Sequence, residues 1–206
     1  MLDVSGLDFA WPLGPAWRGW HARVQPGVTA LVGGDGVGKT TLLRLLAAEL
    51  RPTRGQLALH GTPAWGPDGP ANPAYCAQVF WCDPASNALD TLTGQAYLAQ
   101  QQARHAGWQA EALAEHLQGF ALVPHLEKPL YALSMGMRRK LRWATGFASG
   151  AALTLLDDPF AALDRASIDH VLDTLDELAD HPHRVVVVAG YEPPPGVTLA
   201  ARLDLG

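Results

Sequence analysis

One short run constrains this chain more than any other: Gly33-Gly34-Asp35-Gly36-Val37-Gly38-Lys39-Thr40-Thr41. It satisfies the spacing G-x-x-x-x-G-K-[ST], with Gly33, Gly38, Lys39 and Thr40 at the required places. An apolar run at 28–32 (VTALV) leads in, and an amphipathic pattern leads out from Lys39, so the loop joins a buried strand to a helix. Successive main-chain N–H groups in such a tight turn form a concave donor nest for a polyanion. Glycines permit the curvature and let the backbone approach without a Cβ in the way. The free N–H groups and positive dipole end of the following helix add to the attraction. Lys39 would reach the terminal phosphates, and the Thr40 hydroxyl a magnesium ion. The alternative is a glycine-rich turn that binds nothing; the full motif in this context argues against it.

Further short apolar runs at 153–156 (LTLL) and 185–189 (VVVVA) read as strands buried on both faces, as in a parallel sheet covered by helices. Helical spacing is found at 39–50 and 164–180. In the second, Ile168, Val171, Leu172, Leu175 and Leu178 form one stripe, with Asp169, Asp173 and Glu177 on the wet side. Residues 61–73 read as a surface loop, and Pro193-Pro194-Pro195-Gly196 ends the last strong element. Between about 90 and 150 the pattern is mostly helical. The expectation is one α/β domain over 1–206, with a core of about 1–82 and 151–206 and a helical lobe of about 83–150.

Composition narrows the function classes. With 48% apolar residues and 17% charged, the chain can bury a core. A net charge of −5 gives no positive face for non-specific nucleic-acid binding. Cys76 and Cys82 are too few for a disulfide scaffold and suit a reducing compartment, and no Cys or His partners stand at zinc spacing. No apolar run approaches the length of a membrane span, and the first residues carry no leader pattern, so a cytoplasmic chain is expected.

The run at 153–156 ends in Asp157-Asp158. In an open α/β sheet, ligands lie at the carboxyl ends of strands. Asp157 would stand beside the phosphate loop and hold Mg²⁺ through water, and Asp158 would polarise the attacking water. The plainer alternative is that both cap the loop that follows.

These features, together with Gln78, Leu133-Ser134-Met135-Gly136-Met137 and Ala162-Leu163-Asp164, resemble in order the nucleotide-binding subunit of an ATP-binding-cassette (ABC) transporter, over about residues 2–192. The Leu-Ser-x-Gly segment decides the family, because other phosphate-loop proteins lack it. The resemblance implies a phosphate-loop NTPase core with an N-terminal antiparallel β portion and a helical insertion, ATP and Mg²⁺ as ligands, and a second cassette and a membrane permease as partners. The cassette would lie on the inner face of the membrane. It implies that Gln78, taken to follow a short strand, joins the Mg²⁺ site. Ser134, as a helix N-cap, and Gly136 would contact the nucleotide of the opposite subunit, and Asp164 would pass between subunits. Trp11, 28 residues before Lys39, stands where the family places an adenine-stacking aromatic, a contact worth roughly 1–3 kcal/mol; ordinary packing is the other reading.

Three departures stand out. Met135 and Met137 replace the usual glycine and glutamine of the signature. Asp158 stands where glutamate is usual, one methylene shorter, and a displacement on the order of 1 Å can lower a rate about 100-fold. Tyr191 stands where the family has a histidine that holds the γ-phosphate. The two catalytic departures point to slow turnover. His181 and His183 precede the last apolar strand, where a dipole or solvent role is the default. Arg138-Arg139-Lys140 and Arg142 read either as a solvated helix face or as a patch closing on the partner's nucleotide. Phe80-Trp81-Cys82 reads either as an exposed anchor for the membrane subunit or as packing under the helical lobe. The leading reading is a transporter ATPase. The alternatives are a degenerate regulatory cassette and a soluble phosphate-loop kinase.

Overall fold

The computed structural model describes residues 1–11, 16–67 and 69–205. In chain order the elements are β1 (Leu2–Ala10), β2 (Ala16–Val24), β3 (Gly27–Val32), α1 (Lys39–Leu46), β4 (Arg54–Leu59), β5 (Thr62–Pro63), α2 (Pro73–Cys76) and β6 (Val79–Phe80). Then come α3 (Gly94–Arg104), α4 (Ala110–Gly119), α5 (Met135–Ala148), β7 (Leu153–Asp157), α6 (Arg165–Ala179), β8 (Val185–Gly190) and β9 (Ala201–Asp204). Two single 3-10 turns, Val123–His125 and Leu130–Ala132, link α4 to α5.

Two sheets organise these elements. One is antiparallel in the order β2-β1-β4-β5; the other runs β6-β7-β8-β3-β9 with every neighbour parallel. The α/β class, the parallel sheet and the antiparallel N-terminal portion are thus as the sequence implies. β6 and β7 are neighbours in the sheet although α3, α4 and α5 lie between them in the chain, so these helices form an excursion from one strand position to the next.

Alternation along the parallel strands splits the core into two layers. Leu31, Leu153, Leu155, Val185 and Val187 face the side covered by α1 and the antiparallel sheet, where Leu2, Val4, Leu42 and Leu45 pack. Val28, Leu156, Val186 and Val188 face Leu141, Trp143 and Phe147 of α5 and Val171, Leu175 and Leu178 of α6. Full burial of each such side chain is worth roughly 1.5–3 kcal/mol, which is why unbroken apolar runs settle as central strands.

Three local expectations need correction. The helix read over 39–50 stops at Leu46: Ala48 takes φ 58°, and the N–H of Glu49 folds back to the Arg44 carbonyl at 3.0 Å. That closure needs a left-handed residue, and here an alanine takes the position usually left to glycine. Residues 61–73 are not a simple surface loop, since they contain β5, a Trp65–Ala71 bridge and the fully buried Ala64. Beyond the proline cluster, β9 adds a fifth parallel strand beside β3; its alternately half-buried and exposed residues gave no apolar run to detect.

The packing of α4 against α6 carries a titratable pair. His116, 9% exposed, places Nδ1 3.1 Å from His170 Nε2, with Phe147 and Phe120 around the two rings. Burial first, then the neighbouring His170 and Arg184, pushes His116 down to about 4. The unfolded chain therefore binds more protons than the folded one between about pH 6.5 and pH 4, and stability falls as the pH is lowered through that window. We expect a loss on the order of 2 kcal/mol between pH 7 and pH 4.5 from this group, at about 1.4 kcal/mol per pKa unit. Urea midpoints at the two pH values should show it, and the His116→Gln variant should show a smaller drop.

Candidate nucleotide site

The carboxyl ends of β3, β7 and β8 open into a cavity of about 500 Å³. Register places them together: Val32 pairs with Gly190, and Asp157 with Ala189, so the loops leaving all three strands emerge at one edge. Asp35, Gly36, Gly38, Lys39, Thr40 and Thr41 line the cavity from one side, Asp157 and Asp158 from another, and Trp11 and Tyr191 from the rim.

The loop after β3 has the curvature its glycines allow. Gly36 and Gly38 take φ 73° and 104°. A Cβ on Gly33 would lie 2.6 Å from the Leu205 carbonyl oxygen, and the Gly33 N–H donates to Gly190 O at 3.2 Å. Gly34 borders open space, and Val37 packs against the core beneath the loop. α1 has Gly38 at its N-cap, with no side-chain cap and no acidic residue in its first turn, which leaves N–H groups for an anion. Lys39 Nζ donates to Gly33 O at 2.6 Å and to Gly34 O at 2.7 Å.

Thr40 Oγ1 donates to Asp157 Oδ2 at 2.6 Å, joining two residues 117 apart in the chain. Burial raises the Asp157 pKa above the ordinary carboxylate range, against the opposing pull of the Thr40 hydrogen bond. Asp158 is exposed, takes φ 46°, and anchors its N–H on Ala189 O at 2.9 Å. This left-handed backbone is tolerated best by Asp, Asn and Gly. Tyr191 is 58% exposed, and the Lys39 ammonium lies 4.9 Å from its ring centroid. The Asp35 carboxylate beside the Tyr191 hydroxyl raises the pKa of that phenol. Trp11 donates from Nε1 to Thr41 Oγ1 at 3.1 Å and meets Phe9 edge-on, so its indole is a wall of the cavity and part of a packed pair at once.

Gln78 does not join this group. It precedes β6 rather than following it, and its amide donates to Ala74 O at 2.9 Å on the last turn of α2. The residue that does line the cavity from this part of the chain is Pro84, beyond the end of β6. Ser134, Gly136 and Asp164 lie outside the cavity of their own chain. Ser134 is the N-cap of α5, accepting from Met137 N at 3.2 Å. Gly136 presses on the loop after Asp158: a Cβ there would lie 2.4 Å from Ala162 O. Asp164 caps α6, accepting from the Ser167 N–H and hydroxyl, and pairs with Lys140; that ammonium and those hydrogen bonds hold its carboxyl well below the usual range.

The basic run on α5 is not simply a solvated helix face. Arg138 pairs with Asp90 at 3.0 Å, Arg139 donates to Ala161 O, Lys140 pairs with Asp164, and Arg142 donates to Ser86 O at 3.2 Å. All four bind their own chain, and Arg139 lines the cavity as a second cation beside Lys39. Only its partners in space, not its place in a charge run, mark it as a site residue. Phe80 is buried, beneath Gly146 of α5, so it is no exposed anchor. Trp81 and Cys82 instead line a groove of about 260 Å³ with Asp90, Tyr97 and Arg142.

Comparison with known proteins fits this geometry. The family described as ABC transporter matches residues 20–161. The chain is 34% identical over 161 residues to the cytochrome c biogenesis ATP-binding export protein CcmA of Pseudomonas syringae pv. syringae, covering 77% of this chain and 73% of that protein. It is 35% identical over 201 residues to CcmA 2 of Cupriavidus metallidurans, covering 92% and 90%. Among solved structures, an ABC transporter ATP-binding protein from Pyrococcus furiosus shares the fold with TM-score 0.77, 21% identity and coverage of 99% and 96%. An ATP-binding cassette in a dimeric post-hydrolysis state bound to ADP and Pi does so with TM-score 0.75, 17% identity and coverage of 93% and 88%.

The close approach of Gly136 to Ala162 O gives a direct test of how the α5 N-terminus sits on the loop after Asp158. Gly136→Ala should lower stability by about 1–2 kcal/mol, read from the urea midpoint. Gly34→Ala, where a Cβ meets nothing within 4 Å, should stay within about 0.5 kcal/mol of the parent.

Proposed function

The chain belongs to the ABC transporter family, and from that premise we propose that it binds and hydrolyses ATP to drive a separate membrane permease of an export system. The observation that carries this reading is the meeting of Lys39, Thr40 and Asp157 in one cavity at the carboxyl edge of the parallel sheet. A strand–loop–helix with free N–H groups takes the phosphates, and Lys39 neutralises their terminal charge. Trp11, which lines the cavity, would stack on the adenine ring. The relatives named as cytochrome c biogenesis export proteins support the export class.

The Thr40 hydroxyl and Asp157 carboxylate are hard oxygen donors already within hydrogen-bond distance, a set that suits Mg²⁺ alongside phosphate oxygens. When bound, the ion would neutralise charge on the β- and γ-phosphates. Gln78 is not part of that set, because its amide is turned to α2. Asp158 stands beyond Asp157 to orient water, as a general base or as a hydrogen-bond acceptor. Its side chain, one methylene shorter, has less reach than the family's usual glutamate, which supports slow turnover.

Two copies would close with the Ser134 end of one α5 over the nucleotide of the other, since that capped helix presents N–H groups to the γ-phosphate. The groove of Trp81 and Cys82 is the surface we assign to the permease, and α3 to α5 form the lobe that would move with it. Among the described residues no helix is long and apolar enough to cross a membrane. We place the cassette in the cytoplasm, against the inner face of the membrane through its permease.

With Mg²⁺ present, phosphate release should follow saturation kinetics in ATP, and Lys39→Met should abolish it. Asp158→Asn should lower kcat about 100-fold or more while KM for ATP moves less than about threefold. A parent rate that Asp158→Glu fails to exceed would remove the slow-turnover part of the proposal and leave the rest standing. Tight ATP binding with no measurable rate would favour the regulatory cassette instead.

A further inference from the structure

We infer that Tyr191 acts through the face of its ring, as a positioning residue for the Lys39 ammonium, rather than through its hydroxyl as a phosphate ligand. The inference rests on the phosphate-loop reading and says how one wall of that site works. Lys39 Nζ has three protons. Two are given to Gly33 O and Gly34 O at 2.6 and 2.7 Å, and the ring of Tyr191 lies 4.9 Å from the same nitrogen. The ammonium is thus held between a pair of carbonyls and an aromatic face, within the roughly 6 Å over which a ring quadrupole attracts a cation. The Asp35 carboxylate near the Tyr191 hydroxyl raises the pKa of that phenol, and its negative charge also repels a phosphate oxygen from that side.

The backbone explains why this residue can do so. β8 ends at Gly190, whose carbonyl accepts from the Gly33 N–H, so the strand that leads into Tyr191 is tied directly to the loop that carries Lys39. A lysine side chain loses much rotamer freedom when it is fixed. Holding it at the cavity mouth before nucleotide arrives removes part of that loss from the binding step. A contact of this class at an exposed site is worth a factor of about two to five in an equilibrium constant.

Two measurements on the full chain test the inference. The first is calorimetric titration with ATP and Mg²⁺. Tyr191→Leu should raise Kd about two- to fivefold, with Tyr191→Phe falling between it and the parent and nearer the parent. A phenylalanine as weak as leucine would show that the hydroxyl matters and would overturn the proposal; so would tighter binding in Tyr191→Leu, which would make the ring a latch. The second needs no nucleotide: acetic anhydride labelling of the amines, with mass spectrometry resolving Lys39 from the reference Lys128. Labelling of Lys39 relative to Lys128 should rise about two- to fivefold in Tyr191→Leu and less in Tyr191→Phe. Unchanged labelling in Tyr191→Leu would overturn it. Because Tyr191 is exposed, these replacements leave the core intact. Failure of the underlying reading looks different: Lys39→Met would then leave the Kd for ATP at the parent value.

Discussion

The parallel hydrogen-bond ladder through β7, β8 and β3 is the constraint on which the site depends. It fixes Asp157 opposite Ala189 and Val32 opposite Gly190, and one residue of slip in either pair would turn every side chain to the other face. No slip is possible without exposing one of the two apolar layers, because Val185 and Val187 serve one layer and Val186 and Val188 the other. The chemistry at the strand ends is therefore held in place by hydrophobic burial deep in the sheet. The Thr40–Asp157 hydrogen bond then joins loops that the ladder has already brought together.

A second set of constraints runs through α5. At its C-terminal end the buried Arg184 donates to Phe147 O and Gly146 O and to Thr154 Oγ1, tying the helix to β7. Among the described residues no carboxylate pairs with it; the carbonyls at the negative end of the helix dipole take that place, and burial lowers the guanidinium only to about 10, so it stays charged. At the other end, Arg139 and Lys140 fasten the helix to the loop after Asp158, while Arg138 and Arg142 fasten it to residues 86–90 beside the Trp81 groove. On the proposed function, this makes α5 the rigid member between the permease-facing groove and the loop that carries the attacking water's acceptor.

What the sequence made legible follows from how local each signal is. The loop from Gly33 to Thr41 is contiguous, its conformation is set by its own glycines, and the flanking apolar runs are long enough to be read by periodicity. The same holds for Asp157 at the end of its strand and for the Ser134 cap, where a short polar side chain precedes a helical pattern. Gln78 was misplaced because β6 is only two residues long and gives no periodic signal, so its position relative to the amide could not be read. Arg139 was hidden for the opposite reason: it sits in a run of four cations, and only tertiary contact separates the one that enters the cavity from the three that do not. Phe80 and Trp81 are adjacent and equally apolar, yet Phe80 ends β6 beneath α5 while Trp81, just beyond the strand, lines the groove.

The charge lining the cavity leads to a last step. Asp35, Asp157 and Asp158 oppose Lys39 and Arg139, so the side chains around the opening sum to a slight negative balance. On the proposed function, a triphosphate entering there is drawn by Lys39 but gains little from the net side-chain charge. The rest of its attraction would come from main-chain N–H groups of the loop and the first turn of α1, from a divalent cation held by Thr40 and Asp157, and from the second helix N-terminus that another copy would bring. Each of these is conditional on something outside the resting chain except the first. On the proposed function this explains why such a cavity would hold nucleotide loosely alone and firmly between two copies. On that reading the acidic lining would keep the solitary site weak, and the energy of closure would then be available to move a permease rather than being released at the first encounter.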